Sequence, residues 1–243
     1  MSNPADRMIL VLHEPGAHGG GADWDEAMRA AGWTGRVVAP DLPGHRGTPP
    51  PTGGHHELAD AAFLGGEIVA TLETDETHET HERTGIIALG VGANGWSAQL
   101  LVLGGRADAL VLVDGLGAPW LDPATSVAVE GERLRAIAAD PASLAAAPPE
   151  GNDPRLVHGV PAHGSRHLAE RAAAATTVAT LVIETARSAA SHTDRVDLAD
   201  RFAGPAQLVE LDGRVDHQGV PAAAAALVVA WARAAAHGAD RVD

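Results

Sequence analysis

Four titratable side chains stand in loops that follow apolar runs. They are Glu14 and His18 after Met8–His13, Asp114 closing Ala109–Val113, and His217 in the loop after Ala206–Leu211. The ends of strands are where open α/β sheets collect ligands. Imidazole exchanges protons near neutral pH, so His217 reads as a general acid or base. Asp114 reads as the carboxylate that orients that imidazole, or as a strand-end Asp that caps the next turn. Asp216 adjoins His217 and reads as structural. Glu14 and His18 read as ligand contacts, as further acid/base groups, or as plain loop residues. Between these loops lies Gly90-Val91-Gly92-Ala93-Asn94-Gly95-Trp96, a glycine turn from an apolar run into a helical one. Gly92 has no side-chain atom to attack a carbonyl, so no covalent intermediate forms on it. Gly92 and Ala93 still offer backbone N–H groups, and an oxyanion hole needs donors only. Ser97 falls inside the helical run and cannot occupy the tip of the turn.

The elements that must position these groups follow from periodicity. Continuous apolar runs predict buried strands at Met8–His13, Arg36–Pro40, Gly85–Leu89, Ala109–Asp114, Ala179–Glu184 and Ala206–Leu211. Helical patterns lie between them at Trp24–Ala31, Leu58–Leu72, Ser97–Leu103 and Val220–Ala236. Strands alternating with helices predict an α/β protein with a mostly parallel, doubly wound sheet. The stretch from about 120 to 175 has helical patterns broken by Pro141, Pro148, Pro149, Pro154 and Pro161, and reads as an inserted helical cap. The whole of 1–243 reads as a single domain, since no internal repeat or linker interrupts it.

Composition narrows the chemistry. The net charge of −15 repels nucleic acid and anionic membranes, so neither is an expected partner. All 17 basic residues are Arg, and the absence of Lys excludes Lys Schiff-base chemistry. The absence of Cys excludes disulfides, a Cys nucleophile and thiolate metal sites. No apolar run approaches the roughly 20 residues of a membrane span, and the N-terminus lacks the pattern of a signal peptide. The expected location is the cytoplasm. His55-His56-Glu57 and His78-Glu79-Thr80-His81-Glu82 have no closed metal-ligand spacing and read as solvated acidic segments. Neither Gly16–Gly21 nor Gly104-Gly105 forms a dinucleotide fingerprint. No metal or cofactor is expected; the expected partner is a small-molecule substrate, and a homodimer is allowed.

Four segments, in order, resemble the α/β-hydrolase superfamily over nearly the whole chain, with a lean towards its small esterase and hydroxynitrile-lyase branch. Leu12-His13 with Gly16-Ala17-His18-Gly19-Gly20 resembles the oxyanion loop after the first core strand. Ala39-Pro40-Asp41-Leu42-Pro43-Gly44-His45 is similar to the "PDLPGHG" turn. Gly90–Trp96 resembles the G-x-S-x-G nucleophile elbow, a strand, sharp turn and helix. Asp212-Gly213-Arg214-Val215-Asp216-His217 resembles the loop that carries the catalytic His.

The departures matter more than the matches. The nucleophile position is Gly92, and the usual acid position after Glu184 aligns with Ser188. Only His217 matches the triad. Glu14-Pro15 looks like a two-residue insertion that puts a carboxylate where a small residue is usual, and Asn94 replaces a small elbow residue. The resemblance implies an α/β-hydrolase fold whose pocket is lined by Glu14, Ala17, His18, Gly92, Ala93 and Asn94, with His217 and Asp114 as catalytic candidates. Proton transfer with oxyanion stabilisation on an apolar, polycyclic secondary metabolite is the expected activity: C–C bond formation or cleavage, cyclisation, elimination or isomerisation. A pseudo-hydrolase that binds a small molecule and a hydrolase using His217-activated water are the alternatives.

Overall fold

The computed structural model describes residues 7–14, 20–49, 64–71, 85–115, 123–139, 166–185, 192–211 and 220–238. Its strands are β1 (Arg7–Leu12), β2 (Arg36–Val38), β3 (Gly85–Val91), β4 (Ala109–Val113), β5 (Ala179–Glu184) and β6 (Ala206–Glu210). They form one sheet in the order β2-β1-β3-β4-β5-β6, with every neighbouring pair parallel. Parallel neighbours require crossovers, and crossovers bring helices onto both faces. The inner strands are therefore apolar without alternation: all five residues of β4 are buried. The edge strand β6 reads Ala-Gln-Leu-Val-Glu and has no fully buried residue.

The helices are α1 (Gly21–Ala30), α2 (residues 64–71), α3 (Gly95–Leu103), α4 (Pro123–Ala139), α5 (Arg166–Ala175), α6 (His192–Ala199) and α7 (Val220–Gly238). Side chains alternate across a strand, so each strand feeds two cores. Ile9, Val11, Ile87, Leu89, Val111 and Val113 face α1 through Trp24 and Met28, and α7 through Ala225 and Val229. Leu10, Leu12, Ala88, Leu110 and Leu112 face the other way, against Val69 of α2, Leu101 of α3, Ala173 of α5 and Leu198 of α6. Residues such as Ile9, Leu10, Leu89 and Leu112 are fully buried. Each contributes on the order of 1.5–3 kcal/mol of apolar burial.

The expected strands all form, with ends shifted by a residue or two. The expected cap divides. In α4, Val127 and Leu134 are exposed, whereas Ala169, Ala172 and Ala173 of α5 are buried and Ala173 joins the sheet core. The last ten residues of the 120–175 range are thus a sheet-covering crossover helix. The chain must pass from β4 to a parallel β5, and a helix packed back on the sheet is how it does so. An alanine-rich helix reads alike in a cap and in a tight crossover. Segments 120–122 and 140–165 of the range lie outside the described residues.

Candidate active site

The elbow backbone is present. β3 ends at Val91, Gly92 takes φ +55°, and one 3₁₀ turn, Gly92–Asn94, leads into α3. That left-handed conformation costs an L side chain roughly 1–2 kcal/mol and glycine almost nothing. The chain leaving β4 runs against the turn: a Cβ added to Gly115 would lie 2.3 Å from the Gly92 carbonyl oxygen. Glycine at 115 is what lets the ends of β3 and β4 approach this closely.

The space beside Gly92 is occupied by Glu14. A Cβ added at position 92 would meet Glu14 Oε1 at 2.9 Å, Cγ at 3.1 Å and Cδ at 3.2 Å. The carboxylate therefore stands where a side chain on residue 92 would begin. Glu14 is half-buried, and its position is set by its neighbours. Asn94 Nδ2 donates to the His13 carbonyl oxygen at 2.5 Å, which ties the end of β1 to the elbow. His13 Nε2 accepts from the Leu42 N–H at 3.2 Å, so its proton is on Nδ1, which donates to the Glu14 carbonyl oxygen at 3.0 Å. The backbone on both sides of the Glu14 Cα is thereby anchored.

His13 is buried against the edge of His45, ring centroids 4.8 Å apart. Burial is the main reason its pKa falls to about 4; His45 and Arg46 push the same way, and the Glu14 carbonyl and Asp41 oppose. At neutral pH it is an uncharged spacer in this hydrogen-bond chain.

Asn94 is 1% exposed, and its amide lies between the His13 carbonyl and Ser97 Oγ, which donates to Oδ1 at 3.2 Å. Its side chain ties the elbow to the end of β1. The bond to Oδ1 holds Ser97, which is fully buried, inside the fold.

Asp114 follows β4 with φ +54°, a conformation that Asp tolerates better than most residues. Its Oδ1 accepts from the Thr185 N–H at 2.7 Å and its Oδ2 from the Thr185 hydroxyl at 2.6 Å. Its own N–H donates to the Ile183 carbonyl at 2.9 Å. Thr185 is the first residue after β5, in the region where the resemblance expects an acid. Asp114, one strand over, is thus fixed by that region, and lies next to the Gly115–Gly92 contact.

Glu14, Gly92, Ala93 and Asp114 are brought to one edge of the sheet, at the carboxyl ends of β1, β3 and β4. His217, Ala17, His18 and Ser188 lie outside the described residues, as do the His55 and His78 segments. Among the described residues no group of three His, Asp or Glu side chains is placed to hold a metal ion. No described helix is long and apolar enough to cross a membrane. Sequence reasoning missed His13, Thr185 and the partners of Asn94. The signal for His13 was its place directly after a buried strand; for Thr185 there was none, because its partner is 71 residues away.

No family model matches the chain, and no curated protein does. Solved structures do. A hypothetical protein from Pseudomonas aeruginosa PAO1 superimposes with a TM-score of 0.66 at 18% identity, covering 98% of this chain and 93% of that one. A thermophilic esterase from Thermogutta terrifontis gives 0.64 at 15% identity, over 94% and 90%. A hydrolase from Oleispira antarctica gives 0.64 at 13% identity, over 93% and 91%. The chain has the α/β-hydrolase fold. At these identities the likeness is one of fold, and an α/β-hydrolase fold alone names no reaction. The chemistry has to be argued from Gly92, Glu14 and their neighbours.

Proposed function

We propose that this α/β-hydrolase-fold chain is a non-hydrolytic enzyme whose pocket moves protons and forms no acyl-enzyme. The observation that carries the proposal is the turn after β3: Gly92 takes φ +55°, and the Glu14 carboxylate lies against the place where a side chain on residue 92 would start. The sequence resemblance puts the nucleophile position at Gly92. In this reading His217 is the acid/base group and Asp114 the carboxylate of the site. The amides of Gly92 and Ala93 receive the oxygen on which charge develops. An apolar carbonyl compound, a polycyclic secondary metabolite in the fullest version, is the substrate. Cyclisation, elimination, isomerisation and C–C bond formation or cleavage need only these parts. The left-handed turn at Gly92, which leads straight into the Gly92–Asn94 3₁₀ turn, supports this reading over a binding protein, since its leading amides are the donors an oxyanion needs.

The test is exchange at carbon. α-Tetralone, an apolar bicyclic ketone, is incubated in D₂O, and deuterium entering the carbon beside the carbonyl is followed by NMR. The expected result is exchange faster than in matched buffer, reduced about 10²–10⁴-fold in His217→Ala. Exchange at the buffer rate, or full activity in His217→Ala, would contradict the proposal.

A further inference from the structure

We propose that Glu14 is a catalytic base of this pocket and takes over the place that the fold gives to its nucleophile. The inference rests on the proton-transfer reading and divides its two proton transfers: Glu14 accepts the C–H proton, and His217 supplies a proton to the developing enolate oxygen. Three observations carry it. The Glu14 carboxylate, not merely its loop, reaches the elbow: Oε1 lies 2.9 Å from where a Cβ on residue 92 would sit. A side chain at 92 and the present position of Glu14 exclude one another, so the missing Cβ and the added carboxylate are complementary. Finally, the backbone that carries the carboxylate is held on both sides of the Glu14 Cα. His13 fixes the Glu14 carbonyl, Asn94 fixes the His13 carbonyl, and both anchors are buried side chains without a second task in the pocket.

This placement suits a carbon acid. The elbow is the point to which the fold delivers a carbonyl group, within reach of the Gly92 and Ala93 amides. A base there meets the hydrogen on the carbon next to that carbonyl. The step balances without a co-reactant. The C–H proton passes to a Glu14 carboxylate oxygen, the C–H electron pair forms the C=C bond of an enolate, and the carbonyl π pair moves to the oxygen. Return of the proton to another carbon isomerises the substrate; loss of a group on the neighbouring carbon completes an elimination. The substrate class is therefore an apolar ketone or related carbonyl compound with an acidic α-hydrogen.

The probe is 5-nitrobenzisoxazole, whose only demand is a base. Removal of its ring C–H proton forms a nitrile, breaks the N–O bond and releases a coloured nitrophenolate. The wild-type chain is expected to accelerate the reaction over acetate at equal carboxylate concentration. Glu14→Gln, which keeps size and shape, should lose about 10²-fold or more with an unchanged circular dichroism spectrum. An unaffected Glu14→Gln variant, or a wild type no better than acetate, overturns the assignment. Loss in His217→Ala with Glu14→Gln unaffected overturns it too, while leaving the proton-transfer reading intact.

Discussion

At the scale of single residues, the site is defined by an exchange between positions 14 and 92. The contacts predict how the two are coupled. Gly92→Ser places a side chain at φ +55° and 2.9–3.2 Å from Glu14, so it should cost about 2–3 kcal/mol of stability. Adding Glu14→Ala should recover about 1 kcal/mol or more of that, because only the clash is relieved and the backbone strain stays. Urea midpoints of the two single variants and the double variant measure the coupling; strictly additive losses would show that Glu14 does not fill the slot. The sequence resemblance puts Gly92 at the nucleophile position, and its left-handed φ fits the glycine of such a turn. The incoming carboxylate was legible only as an odd residue in the oxyanion loop, since a distance across 78 positions has no signature in a single sequence. The partners of Asn94, the His13 carbonyl and Ser97, were not legible for a related reason: the first of them lies across the fold.

At the scale of elements, two hydrogen-bond sets tie strand ends together. The first joins β1 to the loop after β2 through His13. Its folded pKa of about 4 lies below the ordinary 6.5, so the unfolded chain binds the extra proton more readily. The sign is thus fixed: the stabilisation is full above about pH 6.5 and is lost as pH falls towards 4, by roughly 3 kcal/mol at most. Protonation would also set an Nε2–H against the Leu42 N–H, turning an acceptor into a second donor. Urea midpoints between pH 7 and pH 4.5 should fall in the wild type and fall less steeply in His13→Asn, which starts from a lower value. Equal slopes would remove His13 from this account. The second set joins β4 to β5. Asp114→Ala loses both bonds to Thr185 and puts Ala in a left-handed conformation, and should cost about 2–4 kcal/mol. Asp114→Asn, which tolerates that backbone and keeps an acceptor, should cost less. Thermal unfolding ranks the two; an Ala variant as stable as Asn would mean that the clamp contributes little.

The whole molecule shows why the fold was easy to read and the site was not. The strands β1, β3, β4 and β5 are continuous apolar runs because both faces are covered, and such runs survive in sequence whatever the partners are. The division of 120–175 was hidden because α5 packs through Ala169, Ala172 and Ala173, which carry too little contrast to mark a buried face. The all-parallel sheet then delivers Glu14, Gly92, Ala93 and Asp114 to one edge, and the reading of the reaction turns on what stands at the tip of β3. The central claim is that no nucleophilic hydroxyl does. Incubation with a fluorophosphonate probe, followed by intact-mass measurement, tests it most directly, since that reagent needs an activated hydroxyl. The account predicts an unmodified mass for the wild-type chain and no burst with p-nitrophenyl esters. A stoichiometric adduct of one probe per chain, on Ser97 or any other serine, would contradict it.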